Sequence, residues 1–165
     1  LNAYIPDQVW PEDYKVLAVE PSFELPWRNG HTLNGSIDLV LESGGFIYGV
    51  DHKTCGRMWN KGKESARKNA QANIYHHALQ QMYPDANGYV FCFDIMTYKG
   101  VFERRVSAVT EASIAATLDK AEQLATVYTT LRGADIDLPA NPSSVLCSES
   151  YCDHWSVCPM GEALQ

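Results

Sequence analysis

The chain has no apolar run near the about 20 residues that a membrane-spanning helix needs, which sets aside integral helical membrane proteins. It shows no secretory signal pattern, no internal repeat and no low-complexity segment. Basic residues are also scarce: 13 Lys and Arg against 20 Asp and Glu give a net charge of −7, the wrong sign for a general nucleic-acid-coating protein. The five cysteines are an odd number with three crowded near the end, which argues against a secreted disulfide framework and for an intracellular, metal-binding use. What remains is ordinary for a globular protein. A 45% hydrophobic, 20% charged chain of 165 residues is long enough for one domain with a real core. It opens on Leu1 rather than Met, so upstream residues are expected to be missing.

The most informative stretch is 32–53, where two β-rich runs flank Ser43-Gly44-Gly45 and read as a β-hairpin. A turn centred between Gly44 and Gly45 sets Ser43 opposite Phe46, Glu42 opposite Ile47 and Asp38 opposite Asp51. Opposed residues share a face of the sheet, with Cβ atoms about 5 Å apart, and Lys53 joins them by the period-two pleat. Two opposed carboxylates repel, and one ammonium offsets only part of that, so a divalent cation is the natural remainder. The plainer alternative is a hairpin with charge on its solvent face. The apolar or small neighbours of Asp51 (Tyr48, Gly49, Val50) count against it.

Gly35-Ser36-Ile37-Asp38 followed by Val50-Asp51-His52-Lys53-Thr54 resembles the central motifs of the PD-(D/E)XK nucleases. The likeness is to the branch with the RecB and AddB nuclease domains and the CRISPR-associated RecB-like exonucleases. It implies a restriction-endonuclease-like α/β fold, with a mixed central β-sheet flanked by helices. It further implies Mg²⁺ or Mn²⁺ on Asp38 and Asp51, with Lys53 positioning the attacking water. Glu20, ending the expected strand 15–20, is similar to the family's upstream metal-binding glutamate, although a solvent-facing strand end reads equally well. The carbonyl of His52 would be a further ligand.

Downstream, residues 64–83 read as a helix ending before Pro84, with Ala66, Ala70, Ile74, Ala78 and Met82 as its buried stripe. Arg67, Gln71 and Tyr75 follow one another at i, i+4 spacing. The pair Gln71 and Tyr75 resembles the extra motif of the RecB-like branch, which implies that both line the active site. Adjacent His76 and His77 point about 100° apart and are read as packing or surface residues. Arg57, Lys61, Lys63, Arg67 and Lys68 face only Glu64, and make either a local grip for a phosphate backbone or a solvated helix start. Residues 88–98 and 101–109 are expected as a second hairpin around Lys99-Gly100. A helix then runs from Thr110 to Gly133 through Ala115, Leu118, Ala121, Leu124 and Tyr128.

The tail 139–165 carries Cys147, Cys152 and Cys158, three thiolates suited to soft metal ligation. It is similar to the C-terminal cysteine triplet with which certain RecB-like nucleases hold a [4Fe–4S] cluster. The first gap is longer than in the common family pattern, however, and no cysteine precedes Glu20. Three readings stay open: a cluster whose fourth ligand lies in a longer parent chain, Zn²⁺ completed by His154, or free thiols.

The expectation is a single nuclease domain over 1–165, a metal-dependent phosphodiesterase of RecB-like exonuclease type. By resemblance it would be cytoplasmic, bacterial or phage-encoded, and would act on single-stranded DNA or duplex ends. Helicases or other recombination, repair or CRISPR proteins would be its partners. The alternatives are a catalytically silent nucleic-acid-binding module of a larger complex, and a cysteine-metal structural module.

Overall fold

The computed structural model describes residues 13–58, 69–134, 149–150 and 155–158. The chain divides into two compact units, residues 1–122 and 123–165. The first holds a five-stranded sheet in the order β1-β4-β5-β6-β7, from strands β1 (Lys15–Val19), β4 (Leu39–Ser43), β5 (Phe46–Cys55), β6 (Gly88–Thr97) and β7 (Phe102–Ser107). A separate ribbon pairs β2 (Ser22–Pro26) with β3 (Thr32–Ser36). Helix α1 (Ala70–Met82) carries the chain from β5 to β6, and α2 (Glu111–Gly133) follows β7. The β5–β6 pair is parallel and the other pairs of the large sheet are antiparallel, so the sheet is mixed. Parallel neighbours need a long crossover, which α1 and its flanking loops supply. This is the expected α/β, restriction-endonuclease-like arrangement.

The central hairpin has the register read from the sequence. Leu39 pairs with Val50 and Ser43 with Phe46. Gly44 and Gly45 take φ of 57° and 81°, the left-handed pair that lets a two-residue turn follow the twist of its strands. Three expectations need correction. Residues 32–36 do not belong to the hairpin; they turn back on β2 through a 3₁₀ turn at Arg28–Gly30, because Phe23 and Leu25 need a partner ribbon to seat them against the core. Glu20 lies beyond β1 in a left-handed conformation (φ 50°), after a bulge between Val16 and Ala18. Helix α1 starts at Ala70, where the Asn69 side chain caps it by accepting the Ala72 amide at 3.0 Å; of the expected longer start, 64–68 lies outside the described residues.

The buried face of α1 is also rotated from expectation: Ala72, Asn73, Ala78 and Leu79 are buried and Ala70 is exposed. The reason is that α1 has two neighbours. Leu79 lies over β5, where a Cβ on Gly49 would come 2.7 Å from its Cδ1. Asn73 turns the other way and is fully satisfied between helices. Its Nδ2 donates to Thr117 Oγ1 (2.9 Å) and to the Asn69 carbonyl (3.1 Å), and its Oδ1 accepts from Ser113 Oγ (2.7 Å). A buried amide misplaced by a rotation would lose these bonds at about 1–3 kcal/mol each, so Asn73 fixes the angle of α1. Thr110 and Ser113 cap α2 reciprocally, each side chain accepting the other's amide.

The core packs between α1, the ribbon and one face of the sheet: Phe23, Ile37, Val40, Ile47, Leu79, Phe91, Phe93 and Ile95. On the sheet's other face Asp94 of β6 is buried beside Arg104 of β7, joined by a bidentate ion pair. Nothing in the sequence pattern marked that pair. Burial pushes the neighbouring Cys92 thiol up to about 11, the state of an inert structural cysteine. No described helix is long and apolar enough to cross a membrane.

Candidate active site

The site forms where β4 and β5 run side by side beneath the first turn of α1. Asp38 stands one position before β4, and the Leu39–Val50 register carried one step further sets it beside Asp51. The main chain completes the arrangement: the His52 amide donates to Asp38 Oδ2 at 2.7 Å, and the His52 ring nitrogen Nδ1 lies 3.4 Å from the same oxygen. The sequence could not show this bond, because it depends on the backbone of β5 rather than on a side-chain type.

Asp51 is 3% exposed. Two groups hold it. Gln71, in the first turn of α1, donates from Nε2 to Oδ1 at 2.6 Å, and the Lys53 ammonium lies 2.7 Å from Oδ2. Lys53 is thus the charged partner of Oδ2 and Gln71 the neutral partner of Oδ1, so each oxygen of this buried carboxylate has a donor group beside it. Burial raises the Asp51 carboxyl above the ordinary carboxylate value. Lys53 and Gln71 oppose the rise and the Asp38 charge adds to it. The like-charge pair expected from the hairpin is thus present and only partly neutralised.

Tyr75 does not reach out over the acids in the same way. Its ring is half-buried and stands edge-on between Phe23 and Phe91, with centroids 5.6 Å from each. A Cβ on Gly35 would come 2.5 Å from Phe23 and 3.3 Å from Tyr75, so glycine there lets β3 close over this aromatic stack. Glu20 is tied to the site through the main chain, its amide donating to the Asp38 carbonyl at 2.9 Å, while the residue is exposed. Among the described residues no group of three or more His, Cys, Asp or Glu is gathered for a metal. His76 packs on Tyr89, and burial lowers its pKa, which agrees with a packing role.

Of the basic stretch, Arg57 is described and exposed; Lys61, Lys63, Arg67 and Lys68 lie outside the described residues. Of the cysteine group, Cys158 is a half-buried free thiol, and Cys147, Cys152 and His154 lie outside them too.

Gln71 gives a direct check on this geometry. Gln71→Ala leaves Asp51 Oδ1 without its donor, and we expect the Asp51 carboxyl to titrate at higher pH than in wild type with the fold intact by circular dichroism, read by carboxyl carbon NMR. An unchanged titration would make the contact incidental.

No curated protein matches the chain. A family model described as the PD-(D/E)XK nuclease superfamily, whose members are in general nucleases, matches residues 5–159. That span takes in both strands of the hairpin, the crossover helix and the cysteines, and the chain belongs to the PD-(D/E)XK nuclease superfamily.

Proposed function

We propose that the chain is a metal-dependent deoxyribonuclease of RecB-like exonuclease type that hydrolyses phosphodiester bonds in single strands or at duplex ends. The observation carrying this reading is the buried Asp51 carboxylate, gripped by Lys53 and Gln71 beside Asp38, whose charge adds to its own. This donor set fits Mg²⁺ or Mn²⁺: magnesium commonly takes one or two carboxylates and fills its other positions with water and substrate phosphate, so a third acid is not required.

Asp38 and Asp51 would hold the ion, helped by Glu20 and the His52 carbonyl; when bound, it supplies charge stabilisation at the phosphate and a lowered pKa for water. The remaining work falls to the protein. The His52 amide keeps Asp38 oriented and Gln71 keeps Asp51 oriented. Lys53, anchored on Asp51 but 31% exposed, can present its ammonium to a water or to the negative charge growing on phosphate. Tyr75 backs the wall behind Gln71. Arg57, Lys61, Lys63, Arg67 and Lys68 would hold the strand by its phosphates.

The test is cleavage of end-labelled oligonucleotides, single-stranded and duplex, by EDTA-stripped protein with Mg²⁺ or Mn²⁺ restored. Lys53→Ala and Asp38→Ala should each lose about 10²–10³-fold or more in rate, the scale of one lost electrostatic contact in a transition state. Cleavage that persists in EDTA, or in either variant, would sink the proposal. A wild type that binds DNA without ever cutting it would favour the silent module instead.

A further inference from the structure

Helix α1 works in two directions within two residues. Gln71 reaches the Asp51 carboxylate at 2.6 Å, whereas Asn73 turns toward α2 and is 1% exposed. At 3.6 residues per turn, two positions along an α-helix are about 200° apart around its axis. The two side chains therefore leave α1 on nearly opposite sides, and any rotation of the helix about its axis moves both tips together. With tips about 5–6 Å from the axis, a rotation of about 10° shifts each by about 1 Å. A bond of 2.6 Å stretched by that much is no longer a hydrogen bond.

The first turn has little of its own with which to resist such a rotation. Ala70 is exposed, and Ala72 is buried but small. Asn73 supplies the grip. Its Nδ2 donates to Thr117 Oγ1 at 2.9 Å and its Oδ1 accepts from Ser113 Oγ at 2.7 Å, so one amide is held by two residues a turn apart on α2. Those hydroxyls are themselves fixed: Thr117 Oγ1 donates to the Ser113 carbonyl (2.8 Å), and Ser113 Oγ accepts the Thr110 amide (2.9 Å). On its own helix, Asn73 donates to the Asn69 carbonyl from both its amide (3.2 Å) and its Nδ2 (3.1 Å). The helix cap, the bond to Asp51 and the bonds to α2 thus fall within residues 69–73. The Gln80–Glu111 bond (2.7 Å) also joins the two helices, but it lies at the surface two turns further on. A buried amide with directional partners on both of its heavy atoms tolerates far less movement than that surface contact.

We infer that Asn73 is a positioning residue for the reaction: through it, α2 sets the rotation of α1 and keeps Gln71 seated on Asp51. The inference rests on the nuclease reading of the site and adds the residue by which a helix outside the site controls it.

The experiment uses the full chain, isotope-labelled and metal-free, and follows the Gln71 side-chain amide by NMR. An amide proton bonded to a buried carboxylate is shifted downfield and exchanges slowly with solvent. Wild type should show that signal. Thr117→Val keeps the shape of the side chain but removes the acceptor for Asn73 Nδ2; it should lose the signal, and so should Asn73→Ala. Thr117→Ser keeps the hydroxyl and should retain it. Tyr89→Phe controls for general loosening, because it removes the bond from the Tyr89 hydroxyl to the Tyr83 carbonyl (2.6 Å) beyond the far end of α1, and it should keep the wild-type signal. With Mn²⁺ and an oligonucleotide, Thr117→Val should lower kcat about 10-fold with KM unchanged, within the about 10²-fold that a misplacement of about 1 Å can cost.

A Gln71 signal unaltered in Thr117→Val overturns the inference, as does one absent from wild type or lost equally in Tyr89→Phe. Should Asn73→Ala fail to fold, the comparison of Thr117→Val with Thr117→Ser decides. Loss of the signal with kcat intact would leave Asn73 a purely structural residue and overturn its part in the reaction. If the signal follows the expected order while neither wild type nor any variant cleaves in any metal, the nuclease reading falls and the placement of Gln71 by Asn73 stands.

Discussion

Asp51→Asn should abolish cleavage, by about 10³-fold or more, and yet raise the melting temperature of the metal-free protein at neutral pH. The two effects share one cause. The carboxylate is buried beside Asp38, and Lys53 with Gln71 only partly offsets the cost of keeping it charged, so its pKa in the fold lies above the unfolded value. In the window between those two values the native state binds more protons than the unfolded state. Stability then falls as pH rises through the window. Whatever Asp51 contributes is present on the acid side and lost by neutral pH, where the native carboxylate is ionised against its surroundings. Asparagine keeps an oxygen for Gln71 and carries no charge, so its advantage over wild type should grow across that window and level off above it. Thermal melts at several pH values, with and without Mg²⁺, read this directly. Added Mg²⁺ should stabilise wild type and leave the variant unmoved, because only a ligand bound to the native state raises stability. A variant that melts below wild type at neutral pH would make Asp51 a structural residue.

A second large effect is expected far from the acids in sequence, at Arg104. Its side chain and that of Asp94 are 8% and 1% exposed, and the guanidinium spans both carboxylate oxygens. Removing one member of a buried pair leaves the other charged and uncompensated, which costs about 3–5 kcal/mol. Against a total of about 5–15 kcal/mol for a domain, Arg104→Met should move the urea midpoint strongly. The double variant Asp94→Leu/Arg104→Met should lose less than Arg104→Met alone, since no orphaned charge remains. Arg104→Lys should fall between, keeping the charge without the planar fork. Asp94 is in register with His52, so loosening this pair should also lower the cleavage rate through the strand that carries Asp51. A midpoint for Arg104→Met within error of wild type would remove the ion pair from the account of stability.

The central hairpin was legible in the sequence because its information is local. A Gly-Gly turn between β-rich runs sets one register, and period-two pleating then fixes which residues share a face, so Asp38, Asp51 and Lys53 follow from spacing alone. The second hairpin and the start of α2 were legible for the same reason, through Lys99-Gly100 and the Thr110 cap. Helix α1 was recognised but not oriented. Its small residues allow several buried stripes, and the one adopted depends on Asn73 bonding to α2 and Leu79 resting on Gly49.

The ribbon β2–β3 was missed because prolines at 21 and 26 mask a short strand whose partner is another short strand. Its pairing is decided by where Phe23 can be buried. What only the tertiary structure decided, then, is the chemistry's environment. The sequence by itself determines that two acids and a lysine lie together. The burial of Asp51, the Gln71 bond that crosses from α1, the amide of His52 on Asp38 and the Asp94–Arg104 pair behind β5 all join residues from separate elements. A contact of that kind depends on how elements pack, and packing is a property of the whole chain rather than of any stretch of it.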